Sequence, residues 1–137
     1  MRFMIIVKGS KESEAGAMPR QEVFDAMADY HEELAKAGVL LDGNGLKPSS
    51  SGWRIKWTGG KKTVIDGPFA EGKELVAGFT IIDVKSVEEA REWARRFPNP
   101  GDEDGEIEVR QFYELEELGG TEEWNARLRK TGIGDWK

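Results

Sequence analysis

An α+β fold, made of two β-α-β halves around a hairpin, is what this sequence predicts on three observations. Runs rich in β-branched and aromatic residues recur at RFMIIV, VLLDGNGL, GWRIKWT, KKTVID, LVAGFTIIDV and EIEVRQFY. Two segments between them, after Pro19 and after Ser86, instead carry apolar residues at helical spacing. Gly59-Gly60 separates two of the β-rich runs, as a two-residue hairpin turn requires.

RFMIIV is a near-continuous apolar run, which predicts a central strand buried on both faces. KGSKESEAGAM follows as a polar loop. Pro19 suits the first position of a helix running to about Ala37. Val23, Phe24, Met27, Tyr30 and Leu34 form its apolar stripe. Glu22, Asp25, Asp29, Glu32, Glu33 and Lys36 fall mostly outside the stripe, and Gly38 is placed to cap the end. VLLDGNGL is a second strand, and KPSSS is a loop.

Counting outward from Gly59-Gly60 pairs Thr58 with Lys61, Ile55 with Val64 and Trp53 with Asp66. Trp53, Ile55, Trp57 and Asp66 then share one face, with Arg54 and Lys56 on the other. LVAGFTIIDV is a further strand. Ser86 and Glu89 read as a capping box for a second helix, with Val87, Ala90, Ala94 and Phe97 on one face and Pro98 as its stop. EIEVRQFY is the last strand. TEEWNARLRKTG is a short helix capped by Thr121, and it needs a docking surface to persist, on a second subunit if not on its own chain. The element order is ferredoxin-like, with an elaborated middle. Both main helices cover one sheet face, which leaves the other face for a partner, most simply a second copy.

Composition narrows the function. A chain of 137 residues fits one domain, and its hydrophobic fraction of 38% plus 17 glycines reaches about half, the ordinary globular range. The net charge of −6 argues against nucleic-acid binding, which needs clustered cations. Without cysteine there is no disulfide framework, thiolate metal site or thiol nucleophile, and one histidine leaves little for zinc. The apolar run at the N-terminus is too short for a signal core or a membrane span, so the expected location is cytoplasmic. GDEDG lacks the spaced ligands of a calcium loop, and GKK lacks the rest of a phosphate loop. No cofactor motif stands out.

The segments MRFMIIVKG, AGVLLDGNGL, TVIDGPFAEGKE, VAGFTIIDV, EEAREWA and EIEVR together resemble the YCII-related proteins, in the subgroup with a DGPF motif. The resemblance covers roughly residues 1–112, leaving 113–137 as a C-terminal extension with a short helix. It implies a dimeric α+β barrel in which two units pack sheet to sheet. Relatives on this fold include small isomerases and monooxygenases, and members of the subgroup are often encoded beside alternative sigma factors. Some members of the wider family carry a histidine in the first helix and an aspartate near the end of the second. Here Met27 and Phe97 stand at those positions, and His31 lies one turn on, so that pair is not carried over.

The stretch DGPFAEGKE, residues 66–74, holds the main candidates. Asp66 reads as a turn residue that accepts a backbone N–H, with Pro68 fixing a dihedral and Phe69 anchoring the loop. It reads alternatively as a general base at a pocket rim, beside the wall of Trp53 and together with Glu71 and Lys73. Lys73 would then hold an anionic substrate or stabilise an enolate. His31 falls about 40° from Met27 on the helical wheel, as a packing residue or as a proton shuttle. Arg54 and Arg110 either clamp a carboxylate or pair with Glu106 or Glu108. Trp53, Trp57, Phe69 and Phe79 line a pocket, a core or an interface. Two functions follow. One is a homodimer that binds a small polar or anionic ligand, or a regulatory protein. The other is a cofactor-free proton-transfer enzyme with Asp66 or His31 as base and Lys73 or Arg54 as electrostatic partner.

Overall fold

The computed structural model describes residues 1–102 and 104–135, without the side chain of Lys73. The chain runs β1 (Arg2–Lys8), α1 (Lys11–Glu14), α2 (Gln21–Lys36), β2 (Leu40–Gly45), β3 (Trp53–Thr58), β4 (Lys61–Asp66), β5 (Val76–Asp83), α3 (Val87–Arg95), β6 (Ile107–Gln111) and α4 (Glu122–Lys130). Four strands form an antiparallel sheet in the order β2-β5-β1-β6. Each β-α-β unit therefore skips over a strand of the other, which is the ferredoxin-like arrangement. β3 and β4 pair only with each other, as a separate ribbon.

One face of the sheet carries the core. Phe3 and Ile5 of β1, Ile82 of β5, Tyr30 and Leu34 of α2, Val84 and Ala90 pack into one buried cluster. Phe3 lies opposite Ile82, and Ile5 lies between Thr80 and Val109. The stripe of α2 buries Val23, Tyr30 and Leu34, while Phe24, at its margin, stays exposed. The Tyr30 hydroxyl donates to the Trp93 carbonyl at 2.6 Å, tying α2 to α3. Burial is the main cause that pushes this hydroxyl up to about 12, so the donor stays protonated well into the alkaline range.

The opposite face of β1 is only half-buried at Met4 and Ile6, rather than buried like the first. Strand alternation puts Ile81 on that second face too, yet it is 4% exposed, so the single chain already covers part of it. The C-terminal segment is fastened to the same strand. Arg2 donates to the Gly134 carbonyl and pairs with Glu114 at 2.5 Å, while Arg129 pairs with Glu116. The chain's own β1 thus holds the segment after α4, with no second subunit needed for that role. Thr121 caps α4 by accepting the Trp124 N–H at 3.1 Å.

Three local expectations need correction. The segment read as a polar loop contains α1, closed by reciprocal bonds between Ser10 and Ser13 of 3.1 and 2.8 Å. Helix α2 starts at Gln21 rather than Pro19, because Arg20 stays extended at ψ 159° and its side chain is tied to Asp102 at 3.0 Å. Ser86 accepts the Glu89 N–H at 3.1 Å, but Glu89 does not return the bond, so only half of the capping box forms.

Candidate functional site

The hairpin carries the DGPF segment at its base. Its ladder pairs Thr58 with Lys61, Ile55 with Val64 and Trp53 with Asp66, without a bulge, as the count from Gly59-Gly60 predicts. Both glycines have positive φ, 58° and 78°, which is the geometry of a turn whose twist matches that of the strands. Arg54 and Phe69 then meet on the face away from Trp53. The Arg54 guanidinium lies 3.8 Å from the centre of the Phe69 ring. Glu71 sits 3.7 Å from Arg54, an ion pair too long for a good hydrogen bond.

A second layer fixes that turn. The Ser49 hydroxyl accepts the Phe69 N–H at 3.0 Å, and the Gly52 carbonyl accepts the Gly67 N–H at 3.0 Å. Glu14 holds Ser49 in turn. One carboxylate oxygen accepts the Ser49 N–H at 2.9 Å and the other accepts its hydroxyl. These bonds, the hydroxyl first, hold the Glu14 carboxyl below the usual carboxylate range. The Gly67–Pro68 peptide is cis. Ser49 and Glu14 were absent from the residues picked out in the sequence. The signal open to inspection there was a serine run before the hairpin, which identified neither partner.

Because folding lowers the pKa of Glu14, its contribution is fully present above the ordinary value of 4.5 and is lost as pH falls through the lowered one. Glu14→Gln is therefore expected to melt below wild type near neutral pH, with the gap closing in strong acid. Thermal melts across that range check this; a gap independent of pH contradicts it.

The other candidates fall elsewhere. Asp66 is exposed at the end of β4, and its carboxylate makes no hydrogen bond or ion pair among the described residues. It does not act as the turn acceptor expected of it, since Ser49 and Gly52 already take the nearby N–H groups. Trp53 stands beside it across the ladder, also exposed. Phe69 is half-buried as a platform under Arg54 rather than as an anchor in apolar surroundings. Lys73 lies on the 3-10 turn Gly72–Glu74, and its side chain is outside the described structure. Arg110 pairs with Glu108 at 3.3 Å along its own strand.

His31 lies under the sheet on α2. Its Nδ1 meets the Met27 carbonyl at 2.7 Å, and its Nε2 meets the Thr80 hydroxyl at 2.8 Å. A carbonyl can only accept, so Nδ1 carries the proton, and in the neutral ring Thr80 donates to Nε2. Phe97 stands edge-on to His31 and Tyr30 at 6.3 and 5.1 Å. Tyr30, His31, Trp93 and Phe97 thus form an aromatic packing cluster. Asp66 and His31 share no hydrogen bond or ion pair, so the geometry joins Arg54, Phe69 and Glu71, but not Asp66 with His31.

Two surface depressions, of about 340 and 430 Å³, lie near Arg2 and Asp83 and near Gly119 and Trp124. None of the candidate residues lines either one. Among the described residues, no cluster of three or more His, Cys, Asp or Glu is placed to hold a metal ion. None of the described helices is long and apolar enough to cross a membrane.

The family profile of the YCII-related domain matches residues 1–116, and the chain belongs to that family. An uncharacterized protein of Rhizobium meliloti is 34% identical over 102 residues, spanning 72% of this chain and 82% of that protein. A solved structure of 5-chloro-2-hydroxyhydroquinone dehydrochlorinase from Burkholderia phenoliruptrix, in complex with 2,5-dihydroxybenzoquinone, aligns at TM-score 0.43 and 14% identity. That alignment covers 85% of this chain and 98% of the other. At that score the likeness adds nothing to the functional reading.

Proposed function

We propose that this YCII-related chain is a homodimeric binding protein whose Arg54 captures the anionic group of a small ligand. The observation that carries the reading is the state of Arg54. Its guanidinium lies over the Phe69 ring, the turn beneath is tied to Ser49 and Glu14, and apart from the 3.7 Å ion pair with Glu71 no hydrogen bond engages the guanidinium among the described residues. A guanidinium offers five N–H donors in a fixed fork that suits a carboxylate. Here it is pre-oriented and half in water, so little ordering is left for binding to supply. Asp66-Gly67-Pro68-Phe69 supports placement in the DGPF subgroup. The lack of cysteine fits a cytoplasmic setting. Dimerisation through the sheet is supported by the half-buried Met4, Ile6 and Phe79, rimmed by Lys8, Glu108 and Arg110, since interfaces pair an apolar centre with a polar rim.

The enzyme reading has less support. Both ring nitrogens of His31 already have partners, and Asp66 is exposed to solvent. A carboxylate on a protein partner would engage Arg54 by the same chemistry as a free ligand. Calorimetric titration with a panel of small mono- and dicarboxylates tests the proposal. At least one is expected to bind, with affinity falling about 10-fold or more in Arg54→Ala, as hydrogen bonds to charged groups are worth about 1.5–3 kcal/mol. Binding unchanged in that variant contradicts the assignment, and no binding by any compound favours a protein partner.

A further inference from the structure

We infer that the free edge of β3 takes an extended peptide segment of alternating acidic and apolar residues, added to the ribbon as a third strand. The inference rests on the reading of Arg54 above and names what carries the carboxylate. β3 runs Trp53, Arg54, Ile55, Lys56, Trp57 and Thr58, all of them exposed. Its ladder with β4 puts Trp53, Ile55 and Trp57 on one face and Arg54 and Lys56 on the other. The strand bears no acidic residue, and Lys56 has no ion pair among the described residues.

The backbone along this edge is unclaimed. Next to a two-residue hairpin turn the flanking pair exchanges both hydrogen bonds, and bonded pairs then alternate along the ladder. Thr58 and Lys61 are that pair, and the Gly67 N–H donated to the Gly52 carbonyl falls in step with them. Arg54 and Lys56 therefore direct their N–H and C=O groups to β4, while Trp53, Ile55 and Trp57 aim theirs away from it. Among the described residues, β3 pairs with β4 alone, and residues 53–66 make no backbone bond outside the ladder. A two-stranded ribbon is marginal in water, and a third strand is what it lacks. Strand addition at such an edge draws affinity from backbone bonds and specificity from alternate side chains.

The two faces select the occupant. A segment laid beside β3 sets every other side chain next to Arg54 and Lys56, and the rest next to Trp53, Ile55 and Trp57. Carboxylates suit the first set and apolar groups the second, because neighbours across strands on one face interact directly. Glu71, 3.7 Å from Arg54, shows a carboxylate of the chain itself reaching that face. The β3 of a second copy would set cation against cation, which like-charge repulsion disfavours. The outer edge of β4 fits less well, since Lys62 and Asp66 flank Val64 on its apolar side.

Fluorescence anisotropy of a short, end-capped, dye-labelled peptide of alternating Glu and Val, titrated with the full chain, tests this. The peptide is expected to bind. Gathering its Glu and Val into two blocks, or methylating its amide nitrogens, is expected to weaken binding about 10-fold or more, since either change loses several paired groups. Replacing its Glu by Lys is expected to abolish binding. Trp57→Ser, on the face away from Arg54, is expected to weaken the peptide and leave the small carboxylates of the panel unaffected. If the blocked and methylated peptides bind as tightly as the alternating one, the inference is overturned. If small carboxylates bind through Arg54 and the alternating peptide does not bind, the inference falls while the reading of Arg54 stands. If the peptides follow the expected order and no small carboxylate binds, the inference stands and the small-ligand reading falls.

Discussion

Leu34→Ala is expected to lower the unfolding free energy by about 2–5 kcal/mol, the range for emptying a large aliphatic site in a packed core. Leu34 is fully buried, in the cluster where α2 meets Phe3, Ile5 and Ile82. Removing three carbon atoms there loses apolar burial and leaves a void against β-branched strand residues that have little freedom to collapse. The total stability of a domain of this size is about 5–15 kcal/mol, so one truncation takes a large share of it. Val64→Ala, on the exposed hairpin, is the matched control and is expected to stay within about 0.5 kcal/mol in the isolated chain. Denaturant unfolding of the two variants decides the matter. Equal small losses would mean that the core does not lie under α2.

Gly67→Ala is the second large effect, and it acts on the site. A Cβ at Gly67 would run into the carbonyl oxygen of Ser49, with the carbonyl carbon at 2.7 Å and the Gly52 oxygen at 3.3 Å. These are backbone atoms, which cannot rotate away as a side chain can. Replacing glycine by alanine ordinarily gains about 0.4–1 kcal/mol through the unfolded state. Overpacking costs about 1–3 kcal/mol, so the clash wins and the sign is destabilising. The turn would have to move off Ser49, and Phe69 would move with it from beneath Arg54. Carboxylate affinity is therefore expected to drop along with Tm. A variant that binds as wild type does would separate the turn from the site.

What was legible in the sequence depended on how far each signal reaches. The pairing of Trp53 with Asp66 follows from alternation and one glycine turn, because strand period and turn length leave a single register. The stripe Val23, Tyr30 and Leu34 follows from helical period in the same way. Phe24 sits one position round from that stripe, and the arc that α2 actually buries is narrower than the arc of its apolar residues. The site was less legible because its bonds are not local. Glu14 reaches Ser49 across 35 positions, and Ser49 reaches Phe69 across 20, with no periodicity to join them. In the sequence Arg54 reads as a carboxylate clamp or as an ion-pair partner of Glu106 or Glu108, and Phe69 as an anchor. Their stacking depends on how the DGPF turn folds back beside β3, which no local pattern records. His31 was weighed as a shuttle or a packing residue, and only the position of Thr80, 49 residues on, supplies its second partner.

The central claim is that Arg54, held on Phe69, is the anion-binding group. The most direct measurement is a proton–nitrogen spectrum of the arginine side chains during titration with the tightest-binding carboxylate of the panel. The Arg54 Nε–H resonance is expected to shift in a saturable way together with the Phe69 ring protons, while that of Arg110, paired with Glu108, stays in place. Saturable shifts at other residues, with the Arg54 and Phe69 signals unmoved, would contradict it.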